Sequence, residues 1–381
     1  PLLAFVLITF VVPIGQMLQR SFYNDGFSAH MPQLSQWFAD NPRGVEPDDA
    51  AWTALATDLQ AAAEGRTIGI VGTRINYDVP GTRSLFTSTG RQVRRGLEPP
   101  YQAALLDINE DWGSPQLWSA MRNAATPLTG NFYLAAVDRS RADDGSIVQV
   151  EERQQVYVML FMRTFWLSLV ITAITFILGF PIAHLLATLP MRKSNLLMIL
   201  VLLPFWTSLL VRTTSWMVLL QQQGVINDVL VWLGVIGGSQ RLQMIYNQTG
   251  TIIAMTHILL PFMILPLYSV MRTINPSYVR AARSLGATSW TAFRRIYFPQ
   301  TLPGLGAGAL LVFILAVGYY ITPALVGGSS GQLISNMIAM HMTDTLNWSM
   351  AAALAALLLG AVLLLYWVYD RMVGIDNLKL G

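Results

Sequence analysis

The chain contains no cysteine, which excludes both disulfides and thiolate metal sites. Its few histidines, His30, His184, His257 and His341, are scattered without metal-ligand spacing, so no metal is expected. Charge is scarce: 12% of residues are charged, where a soluble domain carries about a quarter. No G-x-x-x-x-G-K-[ST] phosphate loop occurs, so any ATP must be handled by another polypeptide. Nothing points to nucleic acid as a partner.

The missing charge is concentrated in stretches. Residues 165–190, 251–271, 302–326 and 349–369 hold none, 1–19 hold none, and 196–220 hold only Arg212. Crossing the hydrocarbon layer takes about 20 apolar residues, and each stretch is long enough. Six transmembrane helices in an all-α polytopic membrane protein are therefore expected. The chain opens at Pro1 without an initiator Met, so 1–23 is read as a first transmembrane helix with a truncated start, and not as a signal peptide, which would need a basic leader and a cleavage site.

Basic residues set the orientation. Arg192 and Lys193 lie between the second and third spans. Arg272, Arg280, Arg283, Arg294 and Arg295 lie between the fourth and fifth, and Arg371 and Lys379 follow the sixth. The opposite loops, 222–249 and 327–348, hold only Arg241. Short loops rich in Lys and Arg stay cytoplasmic. Both termini are then cytoplasmic, and the long segment after the first span is on the outer face.

That segment, residues 24–155, turns abruptly toward Asp, Arg, Gly and Pro and reads as an inserted soluble α+β domain on the periplasmic side. Helices are predicted over 48–64, 100–112 and 116–125, from apolar residues at helical spacing such as Trp52, Leu55 and Leu59, with Gly65 as the first helix's C-cap. Strands are predicted over 66–78, 131–138 and 146–150. No nucleophile motif or metal cluster marks an enzyme. The insertion is read as a domain packed on the outer face, or as a dock for a solute-binding protein.

Residues 156–381 form the rest, with the basic loop 272–300 their most specific feature. It reads NPSYVRAARSLGATSWTAFRRIYFPQTLPG from Asn275 to Gly304. Asn275 suits an N-cap and Pro276 a first helical position. Gly286 stands where a helix end takes a left-handed residue, Thr288 caps a second short helix through Arg295, and Pro299 stops it. Ala281, Ala282 and Ala287 leave the backbone open to close approach by another protein. From physics alone, an amphipathic connector in the membrane interface fits as well.

This loop resembles that of ABC-type importer permeases, a Glu-Ala-Ala triplet followed by Gly and then Ile-x-Leu-Pro. The matching positions are Ala281, Ala282, Gly286, Ile296 and Pro299; Arg280 replaces the usual Glu and Phe298 the usual Leu. Over roughly 160–372 the chain resembles the spermidine/putrescine permease group. The matching stretches are Leu203 to Thr207 (LPFWT) with Arg212, Gly224 to Gly234, Leu259 to Tyr268, and Gly327, Gly328, Leu333, Ile334 and Asn336. The resemblance implies a permease subunit of an ATP-binding-cassette importer in a bacterial inner membrane, forming a path for a polyamine or related solute. It implies a second permease chain, two ATPase subunits that bind ATP and Mg, and a periplasmic solute-binding protein, with no cofactor in this chain. The loop residues Ala281, Ala282, Gly286, Ala287, Ile296 and Pro299 would meet the ATPase.

For the path, helices broken by Pro are the places to look, because freed backbone groups are tolerated beside a cavity. Pro204, Pro261, Pro266 and Pro323 qualify, each also compatible with mere packing. Arg212, the only formal charge inside a span, reads as a path residue or as an anchor snorkelling outward. Trp206, Thr207, Trp216, Tyr319, Tyr320 and Asn336 are the other path residues, with interfacial anchoring the competing role of the aromatics. His184 and His257 are each expected to make one interhelical hydrogen bond. An ion-coupled secondary transporter would be expected to carry carboxylates or two repeated halves, and neither is seen. A membrane-anchored enzyme or sensor would use the outer domain instead.

Overall fold

A computed structural model describes residues 1–142 and 144–373. Five helices are long and apolar enough to cross a membrane: Leu2–Phe22, Tyr157–Thr188, Gln248–Thr273, Ser289–Gly318 and Trp348–Arg371. The sixth expected span, third along the chain, is a pair of helices, Met191–Trp206 and Leu209–Leu219, bent by 96° at a short break. Lys379, counted among the basic residues after the sixth span, lies outside the described residues.

Why the third span breaks while the fourth stays whole follows from what surrounds each proline. Pro204 loses an i→i−4 bond and crowds the preceding turn, and the next residues supply a new start. The hydroxyl of Thr207 donates to the Pro204 carbonyl at 2.8 Å, and the Ser208 hydroxyl accepts from the Val211 N–H at 3.3 Å as an N-cap. Pro261 and Pro266 have no such restart behind them and remain inside one helix, Gln248–Thr273. Pro323 breaks no span: the helix of the fifth ends at Gly318, and Pro323 sits inside the short helix Ile321–Val326.

The described residues form two compact units. One comprises 1–158 with 340–357; the other begins with 159–339 and takes up the chain again at 358. In the first unit, the insertion is helical apart from one antiparallel hairpin, Arg139–Arg141 with Ile147–Gln149. The helices Asp49–Glu64, Tyr101–Ile108 and Pro115–Ala124 match the expected ones. Asp48 caps the first by accepting from Ala51 N–H, and Gly65 is its C-cap, followed by Arg66 in the left-handed region (φ 58°). Two of the expected strands are helices, Ile68–Asn76 and Asn131–Ala136. Their buried positions explain why: Val71 with Ile75, and Phe132 with Ala136, recur at four residues and not at two. Gly72 has no side chain to hold off Phe86, so this helix packs closely on Thr82–Val93.

The core of the unit gathers Phe27, Phe86, Trp112, Leu55 and Leu59. The Asp58 carboxylate, 2% exposed, accepts from Leu34 N–H at 2.8 Å and fastens the helix Pro32–Asp40 to its neighbour. Burial pushes the Asp58 carboxyl above its ordinary value, against the pull of that backbone bond and a second from Gln33. Asp138, in the left-handed region at φ 55°, accepts from the N–H groups of Val156, Tyr157 and Val158 at 2.8–3.1 Å. One carboxylate thereby satisfies the open amides where the second span begins.

The segment 341–349 is held within this same unit from several sides. Tyr77 Oη donates to the Leu346 carbonyl, Asn24 Nδ2 donates to Ser349 Oγ, and Arg20 lies 5.9 Å from the Trp348 ring centre. His341 lies between the Tyr157 hydroxyl (2.9 Å) and the Thr345 hydroxyl (3.0 Å).

The second unit is built on the fourth and fifth spans. Met255, Leu259, Met263 and Leu267 of the fourth pack with Val312 and Ala316 of the fifth, and with Leu167 and Ile171 of the second. Gly304 and Gly308 let the fifth span lie directly against Pro266, Val270 and Met263, as small residues do between membrane helices.

Candidate functional site

Two regions gather the residues singled out by sequence. The first is the loop between the fourth and fifth spans. The helix Pro276–Ser284 is capped by Asn275, whose side chain accepts from Ser277 N–H at 2.9 Å. Gly286 follows at φ 89°, a conformation that costs an L side chain and leaves glycine free. The Ala287 N–H then donates back to the Ala282 carbonyl at 3.0 Å, which closes the helix end. Thr288 restarts the chain by accepting from Thr291 N–H. The caps therefore stand where their chemistry put them.

The second short helix is different from the expected one. It does not stop at Pro299: Ser289–Ala292, a π-turn at Phe293–Tyr297 and the helix Phe298–Gly318 form one continuous rod. Pro299 lies in the first turn of the long helix, where its missing N–H and fixed φ do least harm, and the wide π-turn before it absorbs the rest. Ile296 is half-buried inside that turn and Pro299 is exposed. Ala281 is open to solvent, and Ala282 and Ala287 are half-covered. The most prominent feature is Leu285, 89% exposed beside Gly286, with Tyr278 and Trp290 also largely uncovered. The same loop carries Arg280, Arg283, Arg294 and Arg295, all exposed. Exposed leucine and tryptophan on a basic loop are unsatisfied unless another surface covers them.

The second region is the break of the third span. A cavity of about 260 Å³ is lined by Leu203, Pro204, Thr207, Val211, Arg212, Ser215, Trp216, Leu219 and His257. It brings together three of the sequence-selected residues, Thr207, Arg212 and Trp216. Trp216 Nε1 donates to His257 Nδ1 at 3.1 Å, joining the third span to the fourth and leaving His257 Nε2 as the proton-bearing nitrogen of the neutral ring. Arg212 Nε is buried and has no hydrogen-bond partner. An unpaired guanidinium nitrogen beside a cavity is costly, and only a hydrogen-bond acceptor, such as a water, would relieve it.

The other selected residues lie outside this lining. Trp206 is 75% exposed on the turn Leu203–Trp206. Asn336 is engaged structurally: its Nδ2 donates to the Tyr320 carbonyl at 2.8 Å, and its Oδ1 accepts from Leu333 N–H at 2.9 Å. Ser335 Oγ donates to the Tyr319 carbonyl. Tyr319 and Tyr320 are thus tied through their backbones, and their rings are half-buried and exposed respectively. The cavity also contains His257 and Ser215, which sequence reasoning did not select. A lone imidazole within an otherwise apolar span was the available signal. The bond expected of it is present, and so is the one from His184, to Tyr297.

The insertion has its own cavity of about 730 Å³, lined by Arg91, Arg95, Glu98 and Asp107 among others. Its charges are of both signs. Among the described residues no group of three or more His, Cys, Asp or Glu is arranged to hold a metal.

Comparison with known proteins gives a consistent outcome. Residues 154–373 match the family model described as "Binding-protein-dependent transport system inner membrane component". The chain is 36% identical over 220 residues to the spermidine/putrescine transport system permease protein PotB of Escherichia coli (strain K12), covering 57% of this chain and 79% of that one. It is 33% identical to the protein of the same name from Haemophilus influenzae over 236 residues, 61% of this chain and 82% of that one. A solved bacterial transporter for import of the acidic polysaccharide alginate is 19% identical, with a TM-score of 0.45, over 57% of this chain and 78% of that chain. Residues 24–153 of the insertion lie before the part matched by the family model.

Proposed function

The chain belongs to the family of binding-protein-dependent transport system inner membrane components, and from that premise we propose how this subunit works. It is a membrane-spanning permease subunit of an ATP-binding-cassette importer, and the ATPase is a separate subunit. The matched family covers the second to sixth spans and the basic loop between the fourth and fifth. The observation that carries the mechanism is the uncovered tip of that loop: a capped helix, a left-handed Gly286 and an 89% exposed Leu285, on a loop with four exposed arginines.

In this reading the loop faces the cytoplasm with both termini, as its arginines favour. Ala281, Ala282, Gly286 and Ala287 form its surface toward a partner ATPase that holds ATP and Mg, while Ile296 and Pro299 join it to the fifth span. Leu285 enters the partner's apolar groove and the arginines meet its acidic rim. Residues 24–155 lie on the periplasmic side as a separate domain, where they adjoin the docking face of the binding protein. A second permease chain completes the path.

The solute proposed is a polyamine, the class named for relatives that are 33–36% identical to this chain. Its path passes the break at Leu203–Trp206 and the cavity of Thr207, Arg212 and Trp216. With no carboxylate in any span apart from Asp370 in the last turn of the sixth, ammonium groups would be met by aromatic faces, Trp206, Trp216, Tyr319 and Tyr320. Arg212 then acts as a fixed positive charge that discourages a cation from resting in the path.

The test is uptake of labelled spermidine and putrescine by the whole complex in proteoliposomes, with its binding protein. Uptake is expected to require ATP. It should drop at least about tenfold in Gly286→Val, since a β-branched residue at φ 89° costs about 1–2 kcal/mol or more and deforms the loop. The variant should still insert in the membrane in normal amount. Uptake that ignores ATP and follows an ion gradient would instead favour a secondary transporter.

A further inference from the structure

A ladder of aromatic rings runs from the uncovered tip of the loop to the second span. Trp290, 68% exposed, stacks on Phe293 with ring centres 5.8 Å apart and planes 21° apart. Phe293 stacks on Tyr297 at 5.9 Å, and meets Phe180 and His184 of the second span edge-on at 6.1 and 6.4 Å. Phe298 closes on Phe180 at 5.8 Å. Tyr297 is buried at the end of the ladder, where its hydroxyl shares a hydrogen bond of 3.0 Å with His184 Nδ1. Val279, from the loop helix Pro276–Ser284, packs against the same cluster.

The backbone beneath these rings is not α-helical. Phe293–Tyr297 forms a π-turn, in which bonds close over five residues and the following helix is turned relative to an uninterrupted one. Pro299 favours it, because a proline cannot donate the bond that an ordinary helical turn would ask of it. The ring of Tyr297 and its bond to His184 tie this turn to a different span.

Resting on the importer reading above, we propose that the His184–Tyr297 hydrogen bond is a latch that makes the second and fifth spans follow the loop when the ATPase moves it. His184 and Tyr297 are positioning residues for coupling; neither touches solute or nucleotide. Aromatic side chains suit the task, because few of their torsions are free and a push on Trp290 is carried from ring to ring. The latch lies on the route by which a signal from the binding protein's side reaches the ATPase, so its loss leaves the subunits assembled but poorly connected.

The experiment uses the complete complex purified from its native membrane, with the chain carrying Tyr297→Phe, His184→Phe or both. ATP hydrolysis is measured with and without the complex's own binding protein, added with whatever solute it retains on purification. Tyr297→Phe keeps the ring and its packing and removes only the hydroxyl. The wild type should be stimulated by the binding protein. Tyr297→Phe should lose that stimulation about fivefold, the scale of one hydrogen bond, with basal hydrolysis and recovery of all subunits unchanged. The double variant should be no worse than either single one, as two partners in one bond require.

A stimulation ratio in Tyr297→Phe equal to that of the wild type overturns the latch, and so does a loss in the double variant that is the product of the single losses. A wild-type complex whose hydrolysis ignores the binding protein overturns the importer reading, and the latch falls with it.

Discussion

Arg212 and His341 show how single polar residues are placed in an otherwise apolar chain. Arg212 lines a cavity, and its buried Nε has no hydrogen-bond partner. His341, outside the spans and 7% exposed, has a hydroxyl partner on each ring nitrogen, Tyr157 and Thr345. Burial holds its pKa below the ordinary histidine value of 6.5. The sign follows directly. The folded chain binds a proton less readily than the unfolded one, so this contribution to stability is present above pH 6.5 and is lost as pH falls through the lowered folded value. Protonation also forces both nitrogens to donate, so a hydroxyl that had been donating to the ring must turn away. Thermal unfolding of the chain in detergent should therefore show a stability loss between neutral pH and about pH 5 that His341→Gln reduces. An identical pH slope in the variant would assign the loss to other groups.

At the scale of elements, the third span is the departure from a plain bundle. Its 96° bend depends on Pro204 to end one helix and on Thr207 and Ser208 to begin the next. Pro204→Ala restores the missing donor and removes the clash, a change worth about 3 kcal/mol in favour of an unbroken helix. Uptake by the complex is expected to fall at least about tenfold while membrane insertion is retained, because the cavity around Arg212 depends on the bend. Undiminished uptake would mean that the bend does not shape the path. The spans themselves were legible because they rest on composition alone, and the caps Asn275 and Thr288 because each acts on residues two or three away. The break at Pro204 was legible only as one proline among four, since what separates it from Pro261 is the restart behind it. The helices Ile68–Asn76 and Asn131–Ala136 read as strands because their apolar runs are short and β-branched or aromatic, and only tertiary burial reveals the four-residue period. From sequence, Pro299 reads as a helix stop, and the π-turn at Phe293–Tyr297 is not among the expected elements. It arises where a rod must both accept Pro299 and present Tyr297 to His184.

At the scale of the whole molecule, the chain is one part of a machine. It carries a loop with a bare leucine at its tip, a broken span beside a charged cavity and an inserted helical domain, and it has no phosphate loop. Each of these features has meaning only with partners: an ATPase against the loop, a second permease around the path and a binding protein on the far side. The most direct measurement is gentle purification of the tagged chain from its native membrane, followed by mass spectrometry of everything that accompanies it. The account predicts a second permease, an ATPase with a phosphate loop and a solute-binding protein, recovered together. Recovery of the chain alone, under conditions that keep comparable transporter complexes intact, would contradict it.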